Sequence, residues 1–104
     1  MNIIPLQKLP RQEFSITLDG AFLTIILVAI KNCMYATITR NNVPVISGVR
    51  CMPGRQIIPY NYLEGKAGNF AFKTPGGALP WWENFDNDHV LYYALRSELE
   101  EMRS

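Results

Sequence analysis

The feature that most constrains this chain is a series of tight-turn signals placed between runs of β-branched and apolar residues. Asp19-Gly20 separates two such runs, and Asn32 and Asn41-Asn42 follow at intervals of about ten residues. Asp-Gly is a strong hairpin signal because a type I′ turn needs positive φ at both central residues. Asparagine tolerates the same left-handed region. The pattern therefore predicts an antiparallel meander in the first half of the chain.

Four strands are predicted in this half. Phe14, Ile16 and Leu18 alternate with polar residues, which is the period of a half-buried strand. The longer apolar run Ala21–Ile30 predicts a strand that is buried on both faces. Pro44 marks the fourth strand as an edge, because proline has no backbone donor for a second neighbour. The predicted ranges are 13–18, 21–31, 33–40 and 43–52.

The second half is less regular, because prolines and glycines interrupt its apolar runs. It predicts strands over residues 69–74 and 89–95, a bent strand or loop over 57–63, an aromatic and acidic connector over 81–88, and a polar tail with one frayed helical turn over 96–104. The predicted fold is a single all-β, mostly antiparallel domain over residues 1–104. A small β-barrel or sandwich of about six or seven short strands fits this length.

Charge and hydropathy narrow the possible partners. The formal net charge is only +1, so no global basic field is available to attract nucleic acid or anionic lipid. The longest apolar run is about half the ~20 residues that a membrane helix needs, and the N-terminus lacks the basic region of a signal peptide. Cys33 and Cys51 match no metal motif, which favours reduced thiols in a protein made in the cytoplasm.

The sequence offers little for catalysis. It contains no phosphate-binding loop and no nucleophile elbow, and His89 is its only histidine. We therefore expect no enzyme activity, no cofactor and no small-molecule substrate. The cluster from Asp86 to His89 has oxygen and nitrogen donors for a divalent cation, but its spacing is too short for a calcium loop. A polar turn before the last strand is the favoured interpretation, and no metal site is predicted.

The aromatic residues are the best candidates for binding a partner. Trp81 and Trp82 are adjacent, and neighbouring side chains in an extended segment point in opposite directions. One ring packing inward and the other contacting a partner is one interpretation, and both rings closing an end of the fold is an equal alternative. Tyr60 and Tyr62 are spaced to form one aromatic face, and we place them in the same partner-binding set.

An alternative function uses the same tyrosines differently. Together with Arg55 and Lys66, Tyr60 and Tyr62 could form a stacking platform for single-stranded nucleic acid on a small β-barrel. The near-zero net charge disfavours this alternative, and packing in the core is the more ordinary use of these rings.

Several short segments, in order, resemble the baseplate plug family of contractile-tailed bacteriophages and their prophage relatives. The segments are NIIPL at residues 2–6, FSITLDG at 14–20, VPVISGV at 43–49, and FDND at 85–88 ahead of LYY at 91–93. Each segment is generic by itself, and their order and spacing over nearly the whole chain carry the resemblance.

The resemblance implies a small, mostly β structural protein of the virion, synthesised in the cytoplasm of a bacterial host. It would be seated in the tail baseplate, in contact with the central hub and with neighbouring tail tube or spike proteins. It would have neither catalytic residues nor a cofactor. The choice of partner would depend on loops such as the one that carries Trp81 and Trp82.

Overall fold

The computed structural model describes residues 2–58, 68–85 and 87–103. These residues form seven strands and one α-helix: β1 (Asn2–Ile4), β2 (Arg11–Leu18), β3 (Ala21–Ile30), β4 (Cys33–Arg40), β5 (Val43–Arg50), β6 (Asn69–Lys73), β7 (Val90–Ala94) and α1 (Arg96–Arg103). Strand accounts for 53% of the described residues and all strand pairs are antiparallel, which confirms the predicted fold class. The described strands lie in two sheets and do not close into a barrel, so the barrel alternative is wrong.

The larger sheet is a meander in the order β2-β3-β4-β5. Its first hairpin turn has φ of 54° at Asp19 and 73° at Gly20, as a type I′ turn requires. Lys31 and Asn32 in the second turn, and Asn41 and Asn42 in the third, also have positive φ. The sequence prediction of three tight turns is therefore confirmed.

Strand β3 corrects one expectation. Its inner residues Leu23, Ile25 and Leu27 are buried, whereas Phe22 on the outer face is 46% exposed. The predicted burial of both faces is wrong, because the second sheet covers only one side of the meander. The sequence of β3 does not reveal which face is exposed, since the outer positions of this continuous apolar run carry apolar residues as well.

Strand β5 lies at an edge of the meander, as Pro44 predicted, and ends at Arg50 instead of Met52. Its pairing with β4 changes register around Ile38, and Gly48 has a φ of 61°. The amide of Gly48 donates a hydrogen bond of 3.0 Å to the hydroxyl of Thr37. The strand therefore bulges away from regular pairing at this point.

The smaller sheet joins distant parts of the chain in the order β1-β7-β6. Ile4 in β1 pairs with Leu91 in β7, which in turn pairs with Phe72 in β6. Strand β1 is not predicted from the sequence, because three residues give no measurable alternation.

The outer edge of β6 is covered by residues 53–58. The amide of Gly54 donates to the carbonyl of Phe72 at 2.9 Å, and that of Ile57 donates to Phe70 at 2.7 Å. Buried Asn69 clamps the end of this segment: its Oδ1 accepts from the amide of Ile58, and its Nδ2 donates to the same residue's carbonyl. A loop thus takes the place of a fourth strand at this edge.

Both sheets contribute to one hydrophobic core, which includes Leu23, Ile25, Leu27, Met34 and Ile38 from the meander and Ile4, Phe70, Phe72, Leu91 and Tyr93 from the smaller sheet. A chain of polar contacts ties the sheets together at one end. The hydroxyl of Tyr93 accepts from the amide of Gly68 at 2.6 Å and donates to Oδ2 of Asp19 at 2.8 Å. Burial raises the pKa of Tyr93, so its hydroxyl keeps the proton that this bond needs.

Asp19 also caps the start of helix α1, although it lies in the distant turn between β2 and β3. Its Oδ2 accepts from the amide of Arg96 at 2.9 Å, and the side chain of Glu98 accepts from the amide of Leu95. These acceptors satisfy donors that a helix start leaves unpaired, and Leu95 has no capping side chain of its own. The segment predicted as a polar tail is thus an eight-residue helix, anchored by buried Leu99.

Candidate partner-binding site

The loop between β6 and β7 carries the tryptophan pair singled out from the sequence. Pro80 is fully buried and anchors the chain just before Trp81. Both indoles are half-buried and pack against the rim of the hydrophobic core, with ring centroids 6.1 Å apart and planes tilted by 48°. Neither of the two arrangements considered from the sequence describes this geometry fully, because both rings contact the core and both keep an exposed part.

Hydrogen bonds hold the first of the two rings. The amide of Trp81 donates to Nδ1 of His89 at 3.0 Å, and its indole Nε1 donates to Oε1 of Glu83 at 3.0 Å. Since Nδ1 of His89 accepts, this geometry places the ring proton on Nε2, which lies 3.9 Å from Oδ1 of Asp88. Buried His89 therefore fixes the backbone of the tryptophan loop.

The far end of the loop is held by aromatic packing. Residues Trp82–Asn84 form one 3-10 turn, and Phe85 follows it into the core. The ring of Phe85 stacks on Phe72 of β6 with centroids 5.6 Å apart and planes 15° from parallel. The tryptophans are thus presented from a loop that is fixed on both sides.

The other two candidates, Tyr60 and Tyr62, lie outside the described residues, as does Lys66. Their role in partner binding stays a prediction. Arg55, the fourth member of the stacking platform considered for nucleic acid, is exposed in the segment that follows β5. The described residues do not assemble such a platform.

The possible metal cluster also finds no support in the described ranges. Asp86 lies outside them, and Nδ1 of His89 is engaged by the amide of Trp81. In residues 2–58, 68–85 and 87–103, no group of three His, Cys, Asp or Glu side chains converges as metal ligands would.

The cysteines are free thiols in different environments. Cys33 is half-buried at the start of β4, whereas Cys51 is buried after β5. Burial raises the pKa of the Cys51 thiol to about 12. A thiol in such surroundings is a poor nucleophile at neutral pH, because the reactive species is the thiolate.

An apolar groove lies beside the covered edge of the smaller sheet. It has a volume of about 490 Å³ and is lined by Pro53, Gly54, Ala71, Gly77 and Tyr92 among others. A second groove of about 210 Å³ shares Gly54, Ala71 and Tyr92 and extends to Leu99 of α1. Sequence reasoning missed both grooves, because their walls come from segments that are far apart in the chain.

The described part of the chain contains no helix with the length and apolar character of a membrane span.

A known protein family matches most of the chain. Residues 1–96 match the family described as Cyanophage baseplate Pam3 plug gp18. No curated protein matches the chain significantly. The matched range includes all seven strands and the tryptophan loop, and it ends at the first residue of α1.

Proposed function

Because the chain belongs to the cyanophage baseplate plug family, we propose that it packs against the central hub and against neighbouring tail tube or spike proteins. Membership of this family implies a structural role in the phage tail baseplate, in association with other baseplate proteins. The proposed contact residues are Trp81 and Trp82, with Tyr60 and Tyr62. The proposal includes no catalytic step and no cofactor, and it assumes synthesis in the cytoplasm of the bacterial host.

The observation that carries this proposal is the pair of half-exposed tryptophans on a fixed loop. Tryptophan is enriched among the residues that contribute most of the free energy of binding at protein interfaces. Hydrogen bonds to His89 and Glu83 already order the backbone and ring of Trp81 in the free protein. Binding through this loop would therefore lose little conformational entropy, which favours tight association.

The test is co-expression with the hub and tail tube proteins of the same phage. Replacing both Trp81 and Trp82 by alanine should weaken co-purification strongly, because each hot-spot residue contributes about 2 kcal/mol or more to binding. Phe22→Ala is the matched control, since Phe22 is an exposed aromatic residue of the outer face of β3. Circular dichroism and melting temperature establish that each variant folds. Undiminished co-purification of a folded Trp81→Ala/Trp82→Ala variant would contradict the proposal.

A further inference from the structure

The four edges of the two sheets differ in how well they are protected. Pro44 and the bulge at Gly48 interrupt β5, β1 has only three residues, and residues 53–58 cover β6. Natural proteins use such devices to prevent an edge strand from pairing with another chain. Strand β2, in contrast, has eight residues with no proline and no register shift. Within the described part of the chain, β2 is the long edge that has no proline, no bulge and no covering segment, and its only charged residues are Arg11 and Glu13.

The hydrogen-bonding pattern identifies the backbone groups that β2 leaves open. Leu18 and Ala21 flank a two-residue turn, so their N–H and C=O groups bond to each other. In an antiparallel pair, every second residue bonds to the neighbouring strand. The amide of Ala29 donates to the carbonyl of Pro10 at 2.8 Å, so this alternation holds from Leu18 to the residue before β2. Even-numbered residues of β2 therefore bond to β3. The odd-numbered residues direct their N–H and C=O groups away from the sheet, and these are Arg11, Glu13, Ser15 and Thr17.

The inner face of β2 also leaves apolar surface uncovered. Phe14 and Ile16 are only half-buried, although they pack on the core. Their neighbours on β3, Leu23 and Ile25, are 2% and 1% exposed. A further strand beside β2 would cover these two side chains in the way that β3 is covered.

We propose that β2 pairs with β2 of a second copy of this chain, antiparallel and about a two-fold axis. A second copy fits this edge because the antiparallel strand is complementary to itself. In the register that pairs all four outward-bonding residues, Arg11 faces Thr17 of the partner subunit and Glu13 faces Ser15 of the partner subunit. No like charges lie directly opposite, and Phe14 meets its counterpart on the axis, where aromatic pairs stabilise a sheet. The two meanders then form one continuous eight-stranded sheet.

Opposite charges at Thr17 provide the test, because this residue is exposed on the outer face and faces Arg11 of the partner subunit in the proposed register. Thr17→Glu should tighten the dimer and Thr17→Lys should weaken it, each by roughly tenfold in dissociation constant, since the pair occurs twice per dimer. Sedimentation equilibrium over a range of concentrations measures both. Thr39→Glu and Thr39→Lys are matched controls on the outer face of β4, and they should leave the constant unchanged.

Amide hydrogen exchange gives a second measurement that needs no variant. At concentrations where the dimer forms, the amides of Arg11, Glu13, Ser15 and Thr17 should become protected, while the even-numbered amides are protected at all concentrations. A protein that stays monomeric up to millimolar concentration would overturn the proposal, and so would a dimer in which both Thr17 variants shift the constant in the same direction. Protection of the odd-numbered amides only after addition of hub protein would also overturn it, because the occupant would then be a strand of another protein.

Discussion

Different interactions hold the two sheets in place. In the meander, each strand pairs with the next strand along the chain, and the turns between them consist of residues that accept positive φ. In the smaller sheet, β7 lies between β6, the strand before it in the chain, and the distant β1, and buried side-chain-to-backbone bonds from Asn69 and Tyr93 fix its surroundings. Local turns thus connect the strands of the first sheet, whereas buried polar side chains contribute to the second.

This difference matters for the proposed function, because the tryptophan loop connects two strands of the smaller sheet. Trp81 and Trp82 lie between β6 and β7, and their positions depend on His89, directly before β7, and on Phe85 against β6. Changes in the smaller sheet should therefore disturb partner binding more than changes in the meander do. The free energy of unfolding should likewise depend more on contacts of the smaller sheet than on those of the meander, and three substitutions test this in order of decreasing effect.

Gly68→Ala should have the largest effect. A Cβ atom at Gly68 would lie 1.8 Å from the carbonyl oxygen of Ala94 and 2.9 Å from the ring of Tyr93, so β6 and β7 would have to separate. We expect a loss of about 3 kcal/mol or more in the free energy of unfolding, measured by urea denaturation. Gly20→Ala is the matched control in the meander. It meets no atom within 4 Å, so only its positive φ should cost stability, by about 1 kcal/mol.

Tyr93→Phe should have an intermediate effect. The change removes one hydroxyl that serves Gly68 and Asp19, and it leaves the amide of Gly68 buried without a partner. We expect a loss of about 1–3 kcal/mol in the free energy of unfolding. Tyr35→Phe on the outer face of β4 is the control and should change stability by less than about 0.5 kcal/mol. Equal effects of the two substitutions would mean that the polar tie between the sheets contributes nothing.

Thr37→Val should have the smallest effect, although it too removes a side-chain-to-backbone bond. The bond from the amide of Gly48 to the hydroxyl of Thr37 is exposed, so water replaces it when the hydroxyl is lost. We expect the free energy of unfolding to change by no more than about 0.5 kcal/mol, measured under the same conditions. A loss as large as that of Tyr93→Phe would contradict the contrast between the sheets.

The same contrast explains which parts of the fold could be predicted. Asp19-Gly20 and Asn41-Asn42 encode their turns within two residues, and the strands between the turns follow from alternation. Strand β1 could not be predicted, because its pairing with β7 depends on residues at the other end of the chain. Helix α1 was predicted only as one frayed turn for a similar reason, since Asp19 supplies an acceptor at its start.

The candidate site was predictable in composition but not in geometry. The sequence identified Trp81 and Trp82 as unusual, because two adjacent tryptophans after a proline are difficult to place in a small core. It gave no signal that buried His89 would accept a bond from the backbone of Trp81. A histidine beside acidic residues indicated either a metal ligand or a polar turn. Only the fold shows that His89 instead accepts a hydrogen bond from the backbone of Trp81.

The pairing of β1 with β7 has a consequence for how the protein is made. The ribosome releases Ile4 long before Leu91, so β1 must wait for β7 before the two strands can pair. The meander, by contrast, can form while translation is still in progress. A chain cut short before β7 would retain the hairpins but lack the strand that positions the tryptophan loop. Such a fragment should be unable to compete with finished copies for a place in the tail.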